Sequence, residues 1–483
     1  MNTQLTKVLL IIALVNCLSS KAQQGLSKKE PIDVGNQYTF YSQVLNEQRE
    51  IWIRVPSGYI VDDITKYPVI YLLDGNNNFI FTAGLLRQLE IRSVPKSILV
   101  GIVNTDRTRD LTPATTEDEP GSGGADQFLE MLRTEMFPLV ESNFRTNGHR
   151  TIIGHSDGGL LAIYSLAKYP ELFDAYLAIS PSLWWDDQKV VDLFEERLKE
   201  NAKVKALLYM TMASERGKML GGMMKLVGAL ESQAPENLRW DYKVYPNEHH
   251  GSIPVVSAVE GFHFFYKDWH IPSPEFEAYG LTTIRERKKR IQKEFGTAWE
   301  PEDIIYDDLL WDLVESGRYE ETILLSERLI SAGKEVVDFH ETAALAYMAL
   351  DSLESAKHHW GEVYRLNPGY EDGIEMTDSL NIDKAKLLTT YLPKGKALEV
   401  LSGFYSDGES TCTIELKDGK LRMLLKAPFF TINDELIAFK KNRFYVPEDY
   451  FTVEFQFENE VRQASHLVVQ GTYGWSNRMI RID

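Results

Sequence analysis

The chain has 483 residues, 43% hydrophobic and 25% charged, the profile of a globular protein too long for one ordinary core. A formal net charge of −19 argues against nucleic acid or an anionic membrane as its main partner. No H-E-x-x-H, cysteine cluster or calcium loop occurs, so no metal and no cofactor are expected.

Lys7 precedes the short apolar run Val8–Val15, and Ser20-Lys21-Ala22 stands ahead of Gln23. A basic start, an apolar core and small residues three and one positions before a cut predict a signal peptide over residues 1–22. The run is too short to span a bilayer and no later segment is long enough, so an exported chain without a transmembrane segment is expected, periplasmic or extracellular. Cys17 raises lipoprotein anchoring, but Asn16 is not the small residue such processing wants. Once Cys17 leaves, Cys412 has no partner for an internal disulfide.

Within residues 23–275, strands alternate with helices. Strands are predicted at Tyr38–Val44, Ile51–Val55, Val69–Leu73, Ile98–Val103, Thr151–Gly154, Ala175–Ile179, Ala206–Met212 and Trp240–Tyr245. Helices are predicted at Ala83–Leu89, Gln127–Glu141, Gly159–Lys168, Val190–Glu200, Met219–Glu231 and Val255–Tyr266. Two amphipathic strands followed by apolar ones alternating with helices predict an α/β fold, a mostly parallel sheet covered on both faces.

Residues 276–395 read as helix only. Gly317–Thr322 recurs as Asp351–Ala356, placing Tyr319 and Leu353 34 residues apart, and the segment resembles tetratricopeptide repeats. Two units are too few for a free solenoid, so the helices are expected to lean on their neighbours, as a packing spacer or as a groove for a protein partner. Residues 396–483 are strand-rich: Thr411–Leu416, Leu421–Leu425, Leu436–Phe439, Phe451–Phe457 and Ala464–Val469, with turn signals such as Asp418-Gly419. This stretch resembles the small antiparallel β-domain appended to some secreted serine hydrolases.

Gly154-His155-Ser156-Asp157-Gly158-Gly159 lies between the strand ending at Gly154 and the helix-forming Leu160–Ala167. A G-x-S-x-G between strand and helix is a nucleophile elbow, where glycines permit a tight turn and the serine Oγ is lifted out at a helix N-terminus. A serine hydroxyl needs a base to take its proton and preset donors for the oxyanion. His249 and His250 both follow the last strand of the sheet, at the rim where Ser156 is expected. Glu215, after the penultimate strand, is the candidate acid; Asp241 lies within a strand, and a Ser-His dyad without an acid stays open. Oxyanion donors are expected from the backbone N–H of Asp157 and of Gly75 or Asn76, in a loop after Val69–Leu73.

Tyr67–Gly75, Arg107–Pro113, the elbow, Ser180–Trp185 and His250-Gly251-Ser252 occur in the order of a known family. Over about residues 36–270 the chain resembles the esterases of the α/β-hydrolase fold that include esterase D, feruloyl and acetyl-xylan esterases, ferric-siderophore esterases and mycolyltransferases. The siderophore-esterase branch is nearest. The resemblance implies Ser156 as nucleophile and selects His250 over His249 as base. Asp157 departs from the apolar or aromatic residue often found after the family's serine, which weighs against anionic substrates.

Trp184 and Trp185 can stack on an aromatic or sugar group or simply pack. Arg107 and Arg109 can hold an acidic or catecholate group, or pair with Asp106, Asp110 or Glu117–Glu119. The expected activity is hydrolysis of a small-molecule or carbohydrate ester, a siderophore ester or an acyl or feruloyl ester of a polysaccharide, through an acyl-enzyme. An acyltransferase and a non-catalytic binding protein using the helical repeats are the alternatives.

Overall fold

The computed structural model describes residues 34–59, 65–199, 204–295, 299–387, 396–408, 410–427, 430–446, 451–457, 463–471 and 476–482. The leader read at residues 1–22, with Cys17, lies outside the described residues.

Eight strands form one sheet: β1 (Asn36–Ser42), β2 (Glu47–Arg54), β3 (Tyr67–Leu72), β4 (Ile98–Ile102), β5 (Thr146–His155), β6 (Ala175–Ile179), β7 (Ala206–Met212) and β8 (Leu238–Val244). Their order is β1-β2-β4-β3-β5-β6-β7-β8. β1 pairs with β2, and β2 with β4, antiparallel; every neighbouring pair from β4 to β8 is parallel. β3, β4, β6 and β7 are buried at every residue, as unbroken apolar runs covered on both faces must be. The helix Asp157–Lys168 packs one face with Phe128 and Phe194, and Phe79, Leu86 and Phe262 cover the other.

Parallel pairing sends the carboxyl ends of β3 to β8 to one rim. The segments after them carry Asp74, Arg107, Ser156, Ser182, Glu215 and His250. One expectation at this rim is corrected: Asp74–Asn77 is not a loop. Helix α1 starts at Gly75 and runs to Leu89, behind Asp74 in the left-handed conformation (φ 54°). Asn76, Asn77 and Asn78 are poor helix formers, but Leu86, Ala83 and Phe79 bury against the sheet and decide the matter.

Seven helices follow from Ser273–Tyr279 to Glu371–Ser379. They dock at the opposite end of the strands, through Arg92–Asp308 (2.9 Å), Lys96–Glu302 (3.1 Å) and the edge-on rings of Trp269 and Phe295. Helices Tyr319–Ser331 and Leu353–Leu366 start at the two residues spaced 34 apart. Asp307, Asp338 and Glu341 are buried among these helices, with the Tyr370 hydroxyl donating to Glu341 at 2.8 Å. Burial raises the pKa of all three, Glu341 to about 7, and the neighbouring Asp307 raises Asp338 further.

The C-terminal strands do more than form a small sheet. Eight of them, β9 (Gly403–Ser406), β10 (Thr411–Lys417), β11 (Lys420–Lys426), β12 (Thr431–Lys440), β13 (Arg443–Tyr445), β14 (Phe451–Gln456), β15 (His466–Gly471) and β16 (Ser476–Arg481), pair antiparallel in chain order. β16 returns to β9 and closes a barrel. Its interior is filled by side chains such as Cys412, Met423, Phe455 and Leu467, all buried. Gln470 donates to the Glu335 carbonyl at 2.8 Å, and Arg443 pairs with the Glu335 carboxylate at 3.1 Å, joining barrel to helices. Among the described residues no helix is long and apolar enough to cross a membrane.

Candidate active site

Ser156 stands between β5 and helix Asp157–Lys168 with φ 61° and ψ −114°, a conformation a non-glycine residue adopts only when its surroundings enforce it. Its N–H donates to the Ile179 carbonyl (2.9 Å), and its carbonyl accepts from Ser182 and Leu160 (3.0 Å each). A Cβ on Gly154 would lie 2.1 Å from the Gly158 oxygen, and one on Gly159 would lie 3.0 Å from Pro181 Cα. Gly158 has ordinary room, its nearest atom 3.4 Å away. Gly154 is therefore the glycine this turn cannot do without.

The loops after β7 and β8 are fastened to each other. The Glu248 carbonyl accepts from both the backbone N–H (3.0 Å) and the hydroxyl (2.7 Å) of Ser214. This fastening carries Glu215 to His250, whose Nδ1 lies 2.7 Å from Glu215 Oε1. The His250 ring packs on that of His155, centroids 4.4 Å apart, next in sequence to Ser156. Ser156 Oγ itself lies 3.2 Å from Ser182 Oγ, and no hydrogen bond from it to His250 occurs among those described. Resting hydrolases commonly tighten the serine-histidine contact only when substrate binds.

Burial works against ionisation of Glu215, but hydrogen bonds from His250, its own backbone and Ser180 outweigh it and hold the carboxyl below the usual glutamate range. Burial, and then the neighbouring His250, push His155 down to about 4, so it is a neutral wall. His249 is exposed, and its Nδ1 accepts from the Gly251 N–H at 3.2 Å. Asp241 is exposed within β8 and accepts from the Tyr242 N–H at 2.7 Å. Neither joins the constellation.

The N–H groups of Gly75, Asn76 and Asp157 each open a helix, where no intrahelical acceptor exists. A Cβ at position 75 would lie 2.7 Å from the Gly101 carbonyl carbon, so it is the close approach of β4 that demands glycine there.

The two arginines part company. Arg109 pairs with Glu47 and Asp110, both at 2.6 Å, and Arg49 also binds Asp110, a network holding the segment after β4 to β2. Arg107 lies at the elbow, bound to Asp74 (2.7 Å), to Asp157 and to the His155 carbonyl (3.2 Å). Burial opposes its charge, but Asp74 and Asp157 outweigh burial and raise its pKa. Asp157, whose carboxylate is expected to weigh against anionic substrates, is ion-paired with Arg107. The tryptophans also divide. Trp185 is 5% exposed and donates its indole N–H to the Ala114 carbonyl at 3.1 Å, while Trp184 is 38% exposed. Asp74, His155 and Ser182 were not singled out by sequence; Ser180-Pro181-Ser182 offered the one hint, inside a motif read for other reasons.

An eight-stranded, mostly parallel sheet with a serine elbow and a carboxylate-imidazole pair on one rim defines an α/β-hydrolase. Residues 42–220 match the family described as "Putative esterase", and the chain belongs to this family: it is a carboxylic-ester hydrolase. It is 36% identical over 254 residues to the siderophore triacetylfusarinine C esterase of Aspergillus fumigatus, spanning 42% of this chain and 82% of that one. The ferri-bacillibactin esterase BesA of Bacillus subtilis is 27% identical over 247 residues, 45% of this chain and 86% of the relative. Among solved structures, an IroE-like serine hydrolase from Shewanella oneidensis superposes with a TM-score of 0.53 at 29% identity, covering 66% of this chain and 99% of that one.

Proposed function

We propose that the chain is an exported serine esterase that cleaves siderophore esters through an acyl-enzyme on Ser156. Ser156 Oγ attacks the ester carbonyl carbon while His250 Nε2 takes its proton. Glu215, holding Nδ1, fixes the tautomer and stabilises the imidazolium. The N–H of Asp157, with that of Gly75 or Asn76, receives the oxyanion. The carbon–oxygen bond of the leaving alcohol then breaks, and His250 returns the proton to it. Water, deprotonated by the same imidazole, attacks the acyl-enzyme, and Ser156 leaves with that proton as the acid departs. No step calls for a cofactor.

The observation that carries this reading is the 2.7 Å bond between His250 Nδ1 and Glu215 Oε1 on the rim that bears Ser156. The substrate class is supported by relatives named for siderophore esters. Domain limits of 23–275, 276–395 and 396–483 belong to the same proposal. The test has two arms. A fluorophosphonate probe should label the folded chain and fail on Ser156→Ala; equal labelling of both would overturn the assignment. A ferric trilactone siderophore should be opened faster than p-nitrophenyl acetate, methyl ferulate or acetylated xylan; preference for the xylan would move the substrate class to polysaccharide esters.

A further inference from the structure

The catalytic rim occupies one end of the sheet, and the other end holds a cavity of its own. Between the amino ends of β3 and β5 and the first helices beyond the sheet lies a space of about 370 Å³. We propose that this cavity is a second binding site, for a neutral hydroxylated aromatic molecule of one or two rings that hydrogen-bonds to His149. The site is independent of the reading of Ser156 given above. β3 and β5 begin side by side, Tyr67 opposite Thr146, which brings Tyr67 and His149 to one wall. His149 and His155 lie on the same strand, about 20 Å apart at the usual rise of a β-strand, so a guest here is far from the nucleophile.

The walls are aromatic: Tyr67, Tyr266, Trp269, Phe295 and Trp299 line the space with His149. Phe295 is the hub. Trp269 meets it edge-on with centroids 4.6 Å apart, the His149 ring lies 5.0 Å away and the Tyr266 ring 5.8 Å. These contacts hold the rings in place before a guest arrives, so little ordering is left for binding to impose. An apolar cavity of about 150 Å³ takes up benzene, and this one has room for two fused rings.

The polar groups decide which aromatic. Glu90, on the wall, is committed to Arg54 (2.7 Å) and the Ser97 N–H (2.8 Å). Arg92 is committed to Asp308 (2.9 Å), and Lys96 to Glu302 (3.1 Å). His149 differs. It is only 8% exposed, and neither ring nitrogen has a hydrogen-bond partner among the described residues. Buried polar groups are ordinarily satisfied, so an orphaned imidazole on a cavity wall points to a guest that completes it. Nδ1 is fully shielded, which leaves Nε2 as the atom able to meet that guest. A hydroxyl both donates and accepts, and so satisfies Nε2 in either tautomer. Burial, aided by Lys205 and opposed by Asp174, keeps the His149 pKa below the usual histidine value. A carboxylate would therefore bring a charge that the neutral ring cannot balance.

Calorimetric titration of the full chain near neutral pH with 2-naphthol, and separately with 2-naphthoate, tests the site. Expected is one-to-one binding of 2-naphthol, with 2-naphthoate at least about tenfold weaker. His149→Phe keeps a ring and removes both nitrogens; it should weaken 2-naphthol by about five- to tenfold. Ile305→Trp, on the half-buried cavity-lining face of helix Asp303–Glu315, should fill the space and weaken it further. Trp184→Ala, at the catalytic rim, should bind as the wild type does. The alcohol should also raise the thermal midpoint of the wild type more than that of His149→Phe. Failure of 2-naphthol to bind overturns the proposal, as does tighter binding of 2-naphthoate. So does wild-type affinity in a folded His149→Phe or Ile305→Trp chain; should the former not fold, the latter decides. Loss of binding in Trp184→Ala would move the guest to the catalytic rim and overturn it too.

Discussion

Glu215 and His250 are 35 residues apart in the chain and 2.7 Å apart in space, Oε1 to Nδ1. Two adjacent parallel strands and the Ser214–Glu248 fastening create that contact. It distinguishes His250 from its neighbour His249, which is exposed and, among the described residues, accepts from Gly251 within its own turn.

Exchange of the two histidines is therefore unequal. His250→Ala should lower kcat/KM for p-nitrophenyl acetate by about 10³-fold or more, and His249→Ala by less than about threefold. Glu215→Gln should fall between them, at about 10²-fold, because the imidazole loses its tautomer and its counter-charge. Steady-state kinetics on the three folded variants check the order, and a dominant effect of His249 would reverse the assignment.

Stability should carry a pH signature from the helices, read by thermal unfolding between pH 5 and 8. Asp338 and Glu341 have folded pKa values raised by burial, Glu341 to about 7. An acid with a raised folded pKa binds more protons folded than unfolded. Stability therefore falls as pH climbs from the ordinary carboxylate range, near 4, toward the folded value. Asp338→Asn removes the largest of these burdens. Its transition for the helical segment should exceed that of the wild type by about 2–5 °C at pH 8 and converge with it near pH 5.

Gly154 and Gly158 share a motif but not a reason. Gly154→Ala places a methyl 2.1 Å from the Gly158 oxygen. It should cost about 3 kcal/mol or more, or prevent soluble expression, and abolish probe labelling. Gly158→Ala finds ordinary contacts and should stay within about 1 kcal/mol. Denaturant titration of the pair is the measurement.

The adjacent tryptophans should separate stability from binding. Trp185→Ala empties a buried site and forfeits the bond to Ala114, costing about 3–5 kcal/mol. Trp184→Ala should leave the unfolding midpoint within about 1 kcal/mol and raise KM for aromatic esters over aliphatic ones. An unaltered KM ratio would remove Trp184 from the substrate path.

What could be read from sequence is whatever physical chemistry writes locally. The apolar runs Val69–Leu73, Ala175–Ile179 and Ala206–Met212 have no home but a doubly covered sheet, and Gly154 beside Ser156 announces its turn. Chain order brought Glu215 and His250 to one rim, but nothing local showed that the Glu248 carbonyl would bind Ser214 and pull them into contact. Helix α1 is legible only from Ala83 on, because its first turn is asparagine-rich and its stability comes from packing further along. β9, β13 and β16 are short and polar on one side, and they become strands only because neighbours pair with them on both edges. The Arg107 contacts join three separate loops, which no spacing rule anticipates.

The return of β16 to β9 also governs the order in which the protein can be built. Until Ser476–Arg481 has been synthesised, two strand edges stand open at once, and neither can be satisfied by the rest of the meander. The hydrolase sheet needs nothing beyond Val244 to complete its pairing. During translation the ester-cleaving portion can therefore reach its native form while the C-terminal barrel is still an unfinished ribbon, vulnerable to proteases and to sticking edge-to-edge with its own kind.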